Sequence, residues 1–312
     1  MRAREPDREG FVERDGVRIA YEVHGAANAP TVLLAPTWSI VHSRIWKAQV
    51  SYLARHFRVV TLDGRGNGRS DRPAGASAYA EMEYADDIVA VLDAAGTDRA
   101  VLVGLSMGAK WSVLAATRHP ERVVGMVLIG PATGLDIPSP RSSQMRWLAE
   151  PDEPEGWATF NRAHWLGGGY DDFLRFFFSE MFVEPHSTKQ IEDAVGWGLE
   201  TDPATLVATI DAEGASAPPA EIEDRCRQIQ CPVLVIHGSD DHIRPHAEGE
   251  RLAELTGAAL HTIEGGGHGT PAREPVQVNL LIKDFVTRTA SPDLATGRST
   301  WTRGRRRQKR VL

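Results

Sequence analysis

Short, continuous apolar runs punctuate the chain and alternate with stretches of helical spacing. TVLLAP (31–36), FRVVTLD (57–63), AVLVGL (100–105), VVGMVLIGP (123–131) and PVLVIHG (232–238) are too short for helices and apolar on both sides. That is the signature of strands buried on both faces of a parallel sheet. ALHTIEG (259–265) continues the series. FVERDGVRIAYEVHG (11–25) instead alternates apolar and polar positions around Asp15-Gly16, the pattern of a β-hairpin. Helical spacing fills the gaps. It runs through Ile45, Trp46, Val50 and Leu53 in 42–55, and through Ile88, Val89, Val91 and Leu92 in 79–95, where Gly96 is the stop. It returns from about 107 to 118, closed by Pro120, and again over 246–256 and 271–289.

Strands that alternate with helices predict an α/β fold, with a mostly parallel central sheet and helices on both faces. The pattern breaks over 133–225, which holds no comparable buried strand. Eleven of the 22 aromatic residues fall there, from Trp147 and Trp157 to Phe182 and Trp197. We expect a helical insertion. The predicted organisation is a core of 11–132 and 226–290, an insertion over 133–225, and disordered ends at 1–10 and 291–312.

Charge and cysteine content narrow the classes. The net charge is −7, but residues 291–312 carry +6, so the rest carries −13. An acidic body argues against a nucleic-acid groove. The basic tail has no apolar periodicity and reads as solvated. Cys226 and Cys231 cannot form a disulfide framework, and a cytoplasmic, reducing location is expected. No apolar run reaches membrane-spanning length, and no secretory signal is expected at the charged N-terminus. No metal or cofactor motif is present.

The strongest chemical signal is Gly104-Leu105-Ser106-Met107-Gly108, which follows a strand and opens a helix. Small residues flank such a turn because the backbone folds back on itself. A serine hydroxyl needs a base. His268, in the glycine-rich loop Glu264–Gly269 after the last strand, is the candidate among eleven histidines. His237 lies within an apolar strand and reads as a hydrogen-bonded core residue, while His242 and His246 read as rim residues. The base needs a carboxylate to hold its tautomer. Asp240 and Asp241 stand just past the strand 232–238, and Asp136 follows another strand.

The order Ser106, Asp241, His268 resembles the nucleophile, acid, base order of the α/β-hydrolase family. LDGRGNGRSDRP (62–73) is similar to that family's D-x-R-G-x-G-x-S-x-x-P segment, and PVLVIHGSDDHIRP to its acid loop. In that loop the acid stands three residues after Gly, which selects Asp241 over Asp240. GGGHGTPAREPVQVN (265–279) resembles its histidine loop and last helix. The likeness spans about 11–290. It implies that 133–225 is a cap over the active site and that the backbone amides of Trp38 and Met107 form the oxyanion hole. One departure stands out: Pro36-Thr37 replaces the His-Gly pair usual after the third strand. Lys110, one turn beyond Ser106, also departs from the small residues frequent there. Asp63, Arg65 and Asp71 read as bracing for the loop after the fourth strand.

The resemblance implies a serine hydrolase, cofactor-free and metal-free, that cleaves an ester-type bond, and the aromatic residues of 133–225 suggest a small, apolar substrate. The same triad also serves carbon–carbon bond hydrolases and perhydrolases, and some family members sense ligands with little turnover. Epoxide or haloalkane hydrolysis needs an Asp where Ser106 stands.

Overall fold

The computed structural model describes residues 4–290, apart from 140, 142, 143, 146, 150, 151 and 214–216. The basic tail 291–312 lies outside the described residues. Eight strands form one sheet: β1 (Arg8–Arg14), β2 (Val17–His24), β3 (Thr31–Leu34), β4 (Arg58–Leu62), β5 (Ala100–Leu105), β6 (Val123–Ile129), β7 (Val233–Gly238) and β8 (Ala259–Ile263). Their order is β1-β2-β4-β3-β5-β6-β7-β8. β1 and β2 pair antiparallel, as do β2 and β4, and every other pair is parallel.

Alternate side chains of the central strands feed two cores. Val32, Leu34 and Val59 join Val50 and Leu53 of α1 (Lys47–Leu53) on one face. Leu33, Val60 and Leu102 join the other face. There they meet Ile88 and Leu92 of α2 (Glu81–Ala95) and Leu114 of α3 (Met107–Arg118). Gly96 ends α2 in the left-handed conformation, at φ 69°.

Between β6 and β7 the described residues form no strand. This segment carries α4 (Arg162–His164), α5 (Tyr170–Met181), α6 (Thr188–Gly198), α7 (Pro203–Glu213) and α8 (Pro219–Arg227). Trp157, Phe160, Trp165, Phe173 and Phe177 gather into an aromatic core that is continuous with the α1 face of the sheet. α8 is different. It packs on α3 and on α9 (His246–Thr256), in the helical layer of the other face. The insertion is seated on the body at three further points. Lys47 pairs with Asp193 and lies 5.2 Å from the Trp197 ring centroid. Thr201 Oγ1 donates to Gly66 O at 2.8 Å, and α7 packs on the turn Ala76–Tyr79.

Two expectations need correction. Residues 8–10 are not frayed. They open β1, with Arg8 paired to Val23 and Asp7 N donating to Val23 O at 2.9 Å. The outer side of β2 offers unpaired backbone groups, and β1 satisfies them. Its charged composition is that of an exposed edge strand. The last predicted helix, 271–289, is two: α10 (Thr270–Arg273) and α11 (Pro275–Thr289). Pro275 has no N–H and pushes Glu274 out of the helical region, to φ −117°, ψ 51°.

Both cysteines are free thiols, Cys226 buried and Cys231 partly so. Burial pushes each up to about 11. Among the described residues no helix is long and apolar enough to cross a membrane.

Candidate active site

β5 runs into Ser106, and α3 starts at the next residue. Ser106 adopts φ 56°, ψ −119°. A non-glycine residue in such a conformation stores strain of about 1–3 kcal/mol and persists only when its surroundings fix it. Three backbone bonds do so. Ser106 N donates to Ile129 O at 2.9 Å, while Ser106 O accepts from Ala109 N at 3.0 Å and Ala132 N at 3.1 Å. The flanking glycines are steric requirements. A Cβ on Gly104 would stand 2.3 Å from Gly108 O, and one on Gly108 would stand 2.4 Å from Pro36 O.

The loops after β7 and β8 bring an acid and a base together. Asp241 Oδ2 accepts from His268 Nδ1 at 2.8 Å, with both side chains buried. Asp241 Oδ1 accepts from Ile243 N and Arg244 N, each at 2.8 Å. Burial by itself would push the Asp241 carboxyl up. The charge of His268 and hydrogen bonds from His237 and His268 outweigh it and hold the carboxyl well below the usual range. Asp241 is therefore ionised and acceptor-only, so His268 Nδ1 carries a proton toward it. In the neutral imidazole Nε2 is then the basic nitrogen.

The elbow and this pair converge at the end of β6. Gly130 follows Ile129, the residue that anchors Ser106 N. A Cβ on Gly130 would lie 3.0 Å from His268 Nδ1 and 3.3 Å from Asp241 Oδ2. The insertion braces the histidine loop, because Gly267 N donates to Glu184 Oε1 at 2.8 Å and Gly269 N to Met181 O at 3.1 Å.

The Pro36–Trp38 turn lies against the start of α3, where the Pro36 carbonyl abuts Gly108. The N–H groups of Trp38 and Met107 have no acceptor among the described residues. The indole of Trp38 belongs to the insertion: Nε1 donates to Thr209 Oγ1 of α7 at 2.8 Å. Its ring lies 5.6 Å from Phe177 and 6.0 Å from Phe160, centroid to centroid.

The remaining candidates fall elsewhere. Asp240 is exposed and meets His242, which also faces Glu180. Asp136 is exposed. His246 bonds Thr262 Oγ1 at 2.9 Å. Lys110 pairs with Glu81 of α2. Asp63 accepts from Ser43 N and Arg69 N, Arg65 grips both Asp87 oxygens at 2.8 Å, and Asp71 takes Arg18. All three brace the loop.

His237 is nearer the chemistry than its strand position suggested. Its Nε2 lies 3.0 Å from Asp241 Oδ2 and 3.1 Å from Arg244 O. Both are acceptors, so Nε2 carries the proton, while Nδ1 is buried without a partner. His237 is thus a second donor to the acid. The signal was its place four residues before Asp241 at a strand end. A polar cavity of about 140 Å³, lined by His24, His42, Arg44 and Glu200 among others, lies away from Ser106 at the β2–β4 side. No group of three residues suited to a metal ion occurs among the described residues.

A profile of the alpha/beta hydrolase fold matches residues 23–272. The chain belongs to the α/β-hydrolase fold family. It is 30% identical over 279 residues to the putative carbamate hydrolase RutD of Variovorax paradoxus (strain S110), covering 87% of this chain and 97% of that one. It is 28% identical to the bifunctional esterase/perhydrolase DCH of Acinetobacter calcoaceticus, covering 89% and 99%. Among solved structures, Est816, an N-acyl homoserine lactone degrading enzyme, superposes with TM-score 0.70 at 28% identity, over 89% of this chain and all of the other. The enol-lactonase of Burkholderia xenovorans LB400 shares the fold at TM-score 0.75 and 22% identity, over 89% and 100%. This α/β-hydrolase is an enzyme, a hydrolase, as its relatives are.

Proposed function

We propose that this hydrolase cleaves ester-type bonds of small, largely apolar substrates through an acyl-enzyme on Ser106. The observation that carries the reading is the buried Asp241–His268 pair set against the elbow's own anchor at the end of β6. His268 Nε2 takes the Ser106 proton as Oγ attacks the substrate carbonyl. The N–H groups of Trp38 and Met107 stabilise the oxyanion. Collapse expels the alcohol, which receives the proton from His268, and the same histidine then activates a water that releases the acid. Trp38 N–H serves with Thr37 in place of glycine, since the donor is a backbone group. The insertion acts as the cap, and its aromatic side chains shape an apolar acyl site.

The names of the relatives support an ester-like bond: a carbamate, an ester and a lactone each join a carbonyl to a heteroatom leaving group. Carbon–carbon bond hydrolysis is the second reading. It is supported by 29% identity to the 2-hydroxymuconate semialdehyde hydrolase of Pseudomonas sp. (strain CF600), over 77% of this chain and 80% of that one. The test is fluorophosphonate labelling, mapped by mass spectrometry, followed by a panel of esters, lactones, carbamates and diketones. Labelling at Ser106 and multiple turnover of p-nitrophenyl acetate are expected. A folded protein whose Ser106 stays unlabelled would end the proposal.

A further inference from the structure

The turn that carries the proposed oxyanion donor is held from two sides. Its flanks are tied to the body. Trp46 Nε1 donates to Ala35 O at 3.0 Å, and Ala35 N to Val103 O at 2.8 Å. The Pro36 carbonyl sits on Gly108. Ser39 Oγ donates to Arg65 O at 2.9 Å, and Asn67 Nδ2 to Val41 O at 2.7 Å. Trp38 breaks this pattern. Its indole leaves the body and enters the aromatic core of the insertion, among Phe160, Trp165, Phe173 and Phe177.

One polar contact fixes the indole there. Trp38 Nε1 has a single proton and donates it to Thr209 Oγ1 at 2.8 Å. Thr209 Oγ1 spends its own proton on Leu206 O at 2.7 Å, so toward Trp38 it can only accept. Both residues are buried. With χ1 and χ2 held near their preferred wells, a fixed indole restricts where the Trp38 Cα lies and so where its N–H points.

We infer that Thr209 is a positioning residue for the oxyanion hole, locking the Trp38 indole into the insertion so that the hole is complete only when the insertion is seated. The inference rests on the acyl-enzyme reading of Ser106. The flanks of the turn are tied through backbone atoms, whereas the Trp38 indole adds a constraint from the insertion through a side chain. A donor displaced by about 1 Å costs up to a hundredfold in rate, and complete loss of one about 10²–10³.

The experiment uses the full chain, with Thr209→Val, Thr209→Ser and Trp38→Phe. Thr209→Val keeps the shape and removes the acceptor; Trp38→Phe keeps an aromatic ring and removes the indole N–H. Hydrolysis of p-nitrophenyl acetate is measured beside inhibition by phenylboronic acid, whose tetrahedral Ser106 adduct mimics the oxyanion. Thr209→Val should lower kcat by about 10- to 100-fold, raise the boronate Ki by a similar factor and leave KM within about twofold. Trp38→Phe should show the same split, and Thr209→Ser should restore wild-type values. Wild-type kcat and Ki in folded Thr209→Val or folded Trp38→Phe would overturn the inference. So would a kcat loss with unchanged boronate affinity, which marks a role unrelated to the oxyanion. If the valine variant fails to fold, Trp38→Phe decides alone. A wild-type protein that neither turns over the ester nor takes the fluorophosphonate label refutes the acyl-enzyme reading itself, a result plainly different from a selective loss at Thr209.

Discussion

Four donors surround the Asp241 carboxylate: two backbone amides on Oδ1 and two imidazoles on Oδ2. Such a carboxylate stabilises the fold only while ionised. Its folded value lies below the unfolded one of about 3.9, so the stabilisation is complete above that pH and is lost as pH falls through the folded value. The Tm gap between wild type and Asp241→Asn should therefore be widest from about pH 5 to 8 and should shrink below about pH 4. A gap unchanged down to pH 3 would contradict this assignment of charge. His237→Leu removes one Oδ2 donor, and should cost about 1–3 kcal/mol of stability and move the low-field resonance of the His268 Nδ1 proton. Catalysis should fail differently. Ser106→Ala and His268→Ala should each lower kcat by roughly three or more orders of magnitude, with little further loss in the double variant, because residues acting as a unit are non-additive.

The elements of the core were legible because each writes its period plainly. Ala100–Leu105, Met107–Arg118 and His246–Thr256 lie where the apolar runs and helical spacing put them. The G-x-S-x-G turn could be read with them, because Gly104 answers to a contact four residues away, with Gly108 O, although Gly108 itself answers to the distant Pro36. What stayed hidden depends on partners distant in sequence. Residues 8–10 look like a frayed end until β2 is there to pair with them. α8 looks like insertion until it packs on α3 and α9. His237 looks like a core histidine until the chain turns and Asp241 meets it again four residues on. Trp38 looked like a backbone donor, and nothing local announced an indole bound to a residue 171 positions away. The packing of α3 on the Pro36–Trp38 turn can be tested directly. Gly108→Ala places a Cβ 2.4 Å from Pro36 O, so the turn must shift. Overpacking of this kind costs about 1–3 kcal/mol. Activity should drop further than stability, and an alanine variant with unchanged kcat would show that the turn yields without consequence for the chemistry.

For the whole molecule, body and insertion share one core: the aromatic cluster is continuous with a face of the sheet, and Lys47–Asp193 and Thr201–Gly66 join its margins to the body. Replacing Phe177 by Ala should change the ratio of KM for p-nitrophenyl hexanoate to that for the acetate, whereas equal losses on both would indicate a role in folding alone. Cutting the chain after Ala290 leaves every described contact intact, so Tm and ester hydrolysis should stay at the full-length values; a fall of several degrees would show that residues 291–312 stabilise the body. The two thiols bear on how the seating of the insertion on the body can be measured. Burial pushes each up to about 11, which lowers its thiolate fraction, and hence its reactivity toward a maleimide, below that of an exposed cysteine. A cysteine introduced on the solvent side of α6 would take a spin label or dye almost alone. One such cysteine on α6 and a second on an exposed face of the body would then report the distance between insertion and body, with labelling of the parent chain as the control for Cys226 and Cys231.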